Sequence, residues 1–205
     1  MSITTYAELK TSIADFLNRD DLTSVIDTFI DLAEADLNRQ VRHWRMERRS
    51  TAVLDTQYSA LPNDFLEPVR LQITGTNNYR LELMSNSDLM DYRERDNTTG
   101  RPKYYAVVDG TIEVFPTPDQ EYTLEMVYYS RVNDLDASTT SNWILQYHPD
   151  AYLYGALSHS APYLGEDARA AVWSALYKNA ISGMNMDNDG AKHGGATPKM
   201  KVRGF

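Results

Sequence analysis

Tyr104-Tyr-Ala-Val-Val-Asp-Gly-Thr-Ile-Glu-Val-Phe115 is the stretch on which the fold turns. Two apolar, β-prone runs flank Asp109-Gly110. Asp-Gly suits the left-handed dihedrals of a tight primed turn, so the segment predicts a two-stranded hairpin. Pro116 and Pro118 end the second strand. Further along, Tyr122, Leu124, Met126 and Tyr128 alternate with Thr123, Glu125 and Val127, the period of a strand with one face on a core. Upstream, Leu61-Pro-Asn-Asp64 and Gly75-Thr-Asn-Asn78 carry turn chemistry, and residues 69–73 and 79–83 read as short strands between them. One short helix, residues 87–95, interrupts with Leu89, Met90 and Tyr92 as its apolar side chains.

On both sides the period becomes helical. A first helix is expected over residues 5–18, with Leu9, Ile13, Phe16 and Leu17 on one face. Thr5 and Glu8 have the spacing of a capping box. Asp20 and Asp21 mark a break. A second helix follows over residues 22–41, with Leu22, Ile26, Phe29, Ala33 and Leu37 in one stripe and Ile30 and Val41 at its edge. Past the strands, Asn142-Trp-Ile-Leu-Gln-Tyr-His-Pro-Asp-Ala-Tyr-Leu-Tyr-Gly-Ala-Leu157 predicts a helix over 149–160, since Pro149 suits a first turn. Another helix is expected over 166–184, with Glu166 and Asp167 at its positive end. Residues 187–205 are rich in Gly, Lys and Asn without period and read as an extended tail. The expected architecture is therefore α+β. It is a four-helix bundle from both chain ends (residues 1–45 and 132–186), with an inserted small antiparallel β domain (46–131) and an extended C-terminal tail (187–205).

Composition narrows the chemistry. The 205 residues suffice for a sizeable core. There are no cysteines, which removes disulfides, zinc-thiolate sites and cysteine nucleophiles together. No apolar run approaches the roughly 20 residues of a membrane span, and Met1-Ser-Ile-Thr-Thr5 lacks the features of a signal peptide. No membrane partner is expected. The net charge of −9 argues against a surface that grips nucleic acid broadly. The 14 tyrosines suit either a packed sheet or an interface.

No catalytic constellation emerges. His43, His148, His159 and His193 have no histidine partner at helical spacing and no paired acid in a metal-ligand pattern. Ser158-His159-Ser160 places hydroxyls beside a histidine, but adjacent helical residues point apart. There is no glycine-rich phosphate loop. His148-Pro149-Asp150 matches the tripeptide of J-domain co-chaperones, yet no lysine or arginine occurs from Val132 to Tyr147, and the tripeptide reads as a helix start. No cofactor, no metal and no enzymatic activity are expected.

Two charge features and a basic tail are the candidate functional residues. Asp20, Asp27, Asp31 and Glu34 fall on one stripe of the second helix. Such a stripe is a solvated face in an isolated protein, and in a ring it is a subunit contact or a wall that repels phosphate. Arg42, Arg45, Arg48 and Arg49 follow directly, and pairing with acids of the same or a neighbouring subunit is the expected role. The tail carries Lys192, Lys199, Lys201 and Arg203, with no acid from Ala191 onward. In Lys199-Met-Lys-Val-Arg-Gly-Phe205 basic and apolar residues alternate, a pattern that adds a strand to a partner and seats Met200 and Val202 in pockets, with Phe205 at the end.

Ordered pieces across the chain resemble the head-to-tail adaptor (connector) proteins of short-tailed bacteriophages. They are Tyr6-Ala-Glu-Leu9, Phe16-Leu-Asn-Arg19, Phe29-Ile-Asp-Leu-Ala-Glu-Ala-Asp-Leu-Asn-Arg39, Arg45-Met-Glu-Arg48, Leu61-Pro-Asn-Asp-Phe-Leu-Glu67, Gly100-Arg-Pro-Lys-Tyr-Tyr-Ala-Val-Val-Asp-Gly110, Pro116-Thr-Pro118, Tyr128-Tyr129 and the stretch from Trp143 to Gly165. The resemblance covers residues 6–184. It implies a virion protein of the head-tail neck, assembled in the bacterial host cytoplasm as a twelvefold homo-oligomeric ring. It also implies contact with the portal through the C-terminal extension, with tail nozzle or tail fibre proteins, and with genomic DNA that passes without specific binding. Another virion ring component, such as a tail-completion or nozzle protein, is the nearest alternative, and a small soluble enzyme with an unrecognised site the more distant one.

Overall fold

The computed structural model describes residues 2–19, 21–165 and 168–193. In chain order the elements are α1 (Tyr6–Leu17), α2 (Ile26–Gln40), a 3-10 turn (Trp44–Met46), β1 (Glu47–Leu54), β2 (Tyr58–Ala60), β3 (Phe65–Thr74), β4 (Tyr79–Arg80) and β5 (Glu82–Leu83). Then come α3 (Asn86–Arg95), β6 (Tyr104–Val108), β7 (Thr111–Phe115), β8 (Tyr122–Ser130), α4 (Trp143–Tyr147), α5 (Pro149–Leu164) and α6 (Ala170–His193). They divide into two compact units, residues 1–45 with 132–205 and Met46–Arg131.

Local chemistry sets the helix ends. The Thr5 hydroxyl accepts from the Glu8 N–H at 3.3 Å while the Glu8 carboxylate accepts from the Thr5 N–H at 3.0 Å, closing the capping box. Asn18 stops α1 with a left-handed φ of 53°, a conformation asparagine tolerates. His148 ends α4, and Pro149 starts α5 at once.

In the helical unit α5 is the centre. Ala151, Tyr152, Leu153, Gly155, Ala156, Leu157 and Ser160 are all buried, more than one stripe of a helix, because α1, α2, α4 and α6 pack around it. Gly155 sets the closest approach. A β-carbon there would lie 3.1 Å from Ala33 Cβ on α2 and 3.1 Å from Tyr177 Cε2 on α6.

The β unit holds two four-stranded sheets, ordered β1-β8-β3-β4 and β2-β7-β6-β5. Leu54, Leu71, Ile73, Leu124 and Met126 from the first share a core with Tyr105, Ile112 and Val114 from the second. The alternate residues of β6 and β7, Ala106 and Phe115, turn to α3 and meet Leu89. β7 is therefore covered on both faces, which brings Glu113 inside. Arg93 of α3 answers it at 3.1 Å, and Gln57 donates to it at 2.8 Å. Arg93 also donates to the Val114 carbonyl at 2.9 Å and the Thr117 hydroxyl at 3.0 Å, so the buried pair is held by neutral groups too.

The expected fold class needs correction. The β part is not a small insert in a four-helix bundle: six helices accompany two full sheets among the described residues. The helical unit contains α4 as a separate fifth helix, and β5 pairs with β6 in parallel, so the sheets are not wholly antiparallel. β1 explains much of the shortfall. As an edge strand it is mostly exposed, so Glu47-Arg-Arg-Ser-Thr-Ala-Val-Leu54 carries no hydrophobic alternation. The extended tail also starts too early. Residues 187–193 continue α6 as helix, and 187–192 are exposed apart from the half-buried Asn188, burying no stripe that periodicity can detect. Residues 194–205 lie outside the described residues.

Replacing Gly155 with valine should strain the α2–α5–α6 junction. Overpacking of this kind costs about 1–3 kcal/mol, read as a lower denaturant midpoint at unchanged slope. An unchanged midpoint would mean that the helices separate freely there.

Candidate functional site

The acidic stripe does not remain one face. Asp27 is half-buried, accepting from the Tyr6 hydroxyl at 2.8 Å and pairing with Lys10 at 3.3 Å, so it joins α1 to α2. Asp31 is exposed and its carboxyl is held above the ordinary aspartate range, by partial desolvation first and then by Asp27 and Asp134. Glu34 is buried, at 4% exposure, and does not face solvent at all. Its position three residues after Asp31 rotates it toward α5, and it becomes an internal acceptor. Asp20 lies outside the described residues.

Glu34 lies at the centre of a polar knot. Its Oε1 accepts from the Leu135 N–H at 2.8 Å and from the Tyr152 hydroxyl at 3.0 Å. The same hydroxyl accepts from Asn142 Nδ2 at 2.6 Å. One turn on, Asn38 Oδ1 accepts from the Val132 N–H at 2.9 Å. Burial raises the Glu34 carboxyl to about 7; the two hydrogen bonds it accepts oppose that rise, and Asp134 and Asp31 add to it.

The basic segment is also split. Arg42 donates to the carbonyls of Asn38 at 2.8 Å and Val41 at 2.7 Å, closing the end of α2. Arg48 pairs with Asp64 at 3.1 Å, and Arg49 with Glu125 at 3.5 Å, both inside the β unit. Arg45 differs. Its guanidinium lies 4.6 Å from the Trp44 ring centroid and 4.1 Å from that of Tyr147, and it meets no carboxylate within 4 Å among the described residues. Of the basic tail, Lys192 sits on the exposed last turns of α6, while Lys199, Met200, Lys201, Val202, Arg203 and Phe205 lie outside the described residues.

Around Arg45 is a cluster that sequence spacing hides. His43, Trp44, Arg45, Tyr147, His148 and Asp187 line a cleft of about 330 Å³. His43 is buried and stacks on Trp143 with centroids 4.8 Å apart. Its Nδ1 accepts from the Arg45 N–H at 3.2 Å, leaving Nε2 as the donor of the neutral ring. Burial first, then the neighbouring His148 and Arg45, lowers its basicity. Asn188 accepts from the Trp44 N–H at 2.8 Å, fixing the corner to α6. The only available signal was the density of aromatics in residues 143–148; histidine spacing along the chain gave none. Among the described residues no group of three or more acidic or histidine side chains has the geometry of a metal site.

The arrangement is one of internal ties and exposed contact residues. The SU10 adaptor protein family matches residues 4–199. The chain belongs to that family. It is a phage adaptor protein, a structural component of the virion that meets other virion components. No curated protein matches the chain.

In this SU10-family adaptor the Glu34 knot sets a pH dependence. Glu34 binds its proton more tightly folded than unfolded, so its contribution is full below about pH 4.5 and is lost as pH rises through about 7. Glu34→Gln keeps an acceptor for Leu135 and Tyr152 and cannot ionise. Thermal melts of the variant should lose less stability than wild type across that window. Parallel wild-type and variant curves would show that ionisation of Glu34 does not act on the fold.

Proposed function

We propose that the chain is a head-to-tail adaptor: many copies form a ring between the portal and the tail and leave a channel for genome passage. The observation that carries this is the family match over residues 4–199. The surface is in keeping with it. The helical unit leaves Phe16, Leu32, Tyr163, Val172 and Met186 exposed, and the β unit leaves Val53, Leu83, Met90 and Val107, apolar area that neighbouring subunits would cover. A net charge of −9 suits a channel through which DNA slides without sticking. Assembly takes place in the host cytoplasm, with the tail nozzle or tail fibre proteins below. Ring symmetry, twelvefold by the resemblance, is counted directly by electron microscopy after mixing the purified chain with its portal. Particles in which the chain occupies the far end of the tail instead would assign it to a nozzle or tail-completion role.

Residues 194–205 are the proposed portal anchor, with Lys199, Lys201 and Arg203 alternating with Met200 and Val202, and Phe205 last. One copy of so short a segment offers few contacts and binds weakly by itself. A ring offers many copies, and effective concentration rises after the first docks. Deleting residues 194–205 should leave the melting temperature unchanged and abolish co-sedimentation with the portal. Full attachment of the truncated chain would place the anchor on the helical unit.

A further inference from the structure

The two charge features are largely consumed inside the subunit. Asp27 is tied to Tyr6 and Lys10, Glu34 is buried, Arg42 closes α2, and Arg48 and Arg49 meet Asp64 and Glu125. Among the described members this leaves Asp31 and Arg45, which have neither an ion pair nor a side-chain hydrogen bond.

Each is presented for a partner. Arg45 is exposed and lies against the faces of Trp44 and Tyr147, themselves 41% and 56% exposed. Stacking on the rings limits the guanidinium's freedom and leaves its N–H edge for a carboxylate, which it can take with two parallel hydrogen bonds. Its corner is anchored from behind by the His43–Trp143 stack and the Trp44–Asn188 bond, while the nearby Asp187 leans on His148 at 4.0 Å. Asp31 is the complement. It has Asp27 and Asp134 close enough to oppose its ionisation, so an incoming cation is favoured there, and the adjacent Leu32 is 45% exposed. About 14 Å of helix separates Asp31 from the end of α2, so the pair does not close within one copy.

We infer that Asp31 and Leu32 of one copy dock on the Trp44–Arg45–Tyr147 stack of a second copy, aspartate on guanidinium and leucine on the rings. The contact rests on the proposed ring. It uses two different patches, so it propagates head to tail, the contact type that closes rings by rotation.

The test uses the full chain mixed with portal, with ring yield read by native mass spectrometry and electron microscopy, and folding checked by circular dichroism. Arg45→Asp and Asp31→Arg should each fold and each lower ring yield on the order of tenfold or more, the scale of a lost close charge pair. The double variant, which restores opposite charges at every contact, should recover rings. So should an equal mixture of the two single variants, in alternation. Rings from wild type and from folded single variants alike, or no recovery in the folded double variant and in the mixture, would overturn the pairing and leave the ring standing. No ring from wild type with portal would overturn the proposed function beneath it. If Arg45→Asp fails to fold, Asp31→Arg together with Arg45→Gln decides: both must lose rings.

Discussion

Two side chains on one face of α2 hold the returning chain. Glu34 and Asn38, one turn apart, accept the backbone N–H groups of Leu135 and Val132. A buried N–H without a partner costs about 1–3 kcal/mol, and this segment has no strand or helix to supply one. The two acceptors therefore decide where the chain re-enters the helical unit after leaving it at Arg45. From there the path is fixed in steps. The Thr140 carbonyl accepts from the Tyr6 N–H at 2.7 Å, Ser141 bonds the Thr4 carbonyl at 2.9 Å, and Asn142 caps α4 at Leu145. α5 then begins at Pro149, with α1, α2, α4 and α6 around it. The hydrophobic centre of the unit depends on a polar ladder outside it.

The β unit meets the same constraint differently. Covering β7 on both faces forces Glu113 inside, and an uncompensated buried carboxylate is far costlier than a buried apolar side chain. Arg93, Gln57 and the groups that hold Arg93 answer that cost. α3 is thus fastened by charge in the middle and by Leu89 against Ala106 and Phe115 beside it. In both units a single acid sits where the fold is most covered, and each is satisfied by residues distant in sequence.

That distance explains what the sequence could and could not reveal. The hairpin from Tyr104 to Phe115 was legible because Asp109-Gly110 acts locally, and α1 because Thr5 and Glu8 are three residues apart. The edge strand β1, the exposed end of α6 and the parallel β5–β6 pairing were not, because each lacks an apolar period or depends on which strands become neighbours. Candidate site residues were found by type but not by fate. Asp31 and Glu34 look equivalent on a helical wheel, yet one is exposed and the other accepts two hydrogen bonds in the interior. The His43–Trp143 stack joins residues on either side of the β unit in sequence, and no local spacing encodes it.

The fate of the charges is itself informative about assembly. An acid or base paired within its own subunit already has its counter-charge at hand and gains less from a neighbour. One left exposed on a rigid backing gains the most, since ordering entropy has been met by the fold. Arg45, stacked on two rings at a corner tied to α6, is the clearest case in the chain. An arginine on a mobile loop would lose rotamer entropy on binding, of up to about 2 kcal/mol, which cancels much of a surface ion pair. Here the rings have already taken that freedom away. In the proposed ring, such a prearranged contact would give selectivity through charge sign and geometry, without a large buried area in each subunit.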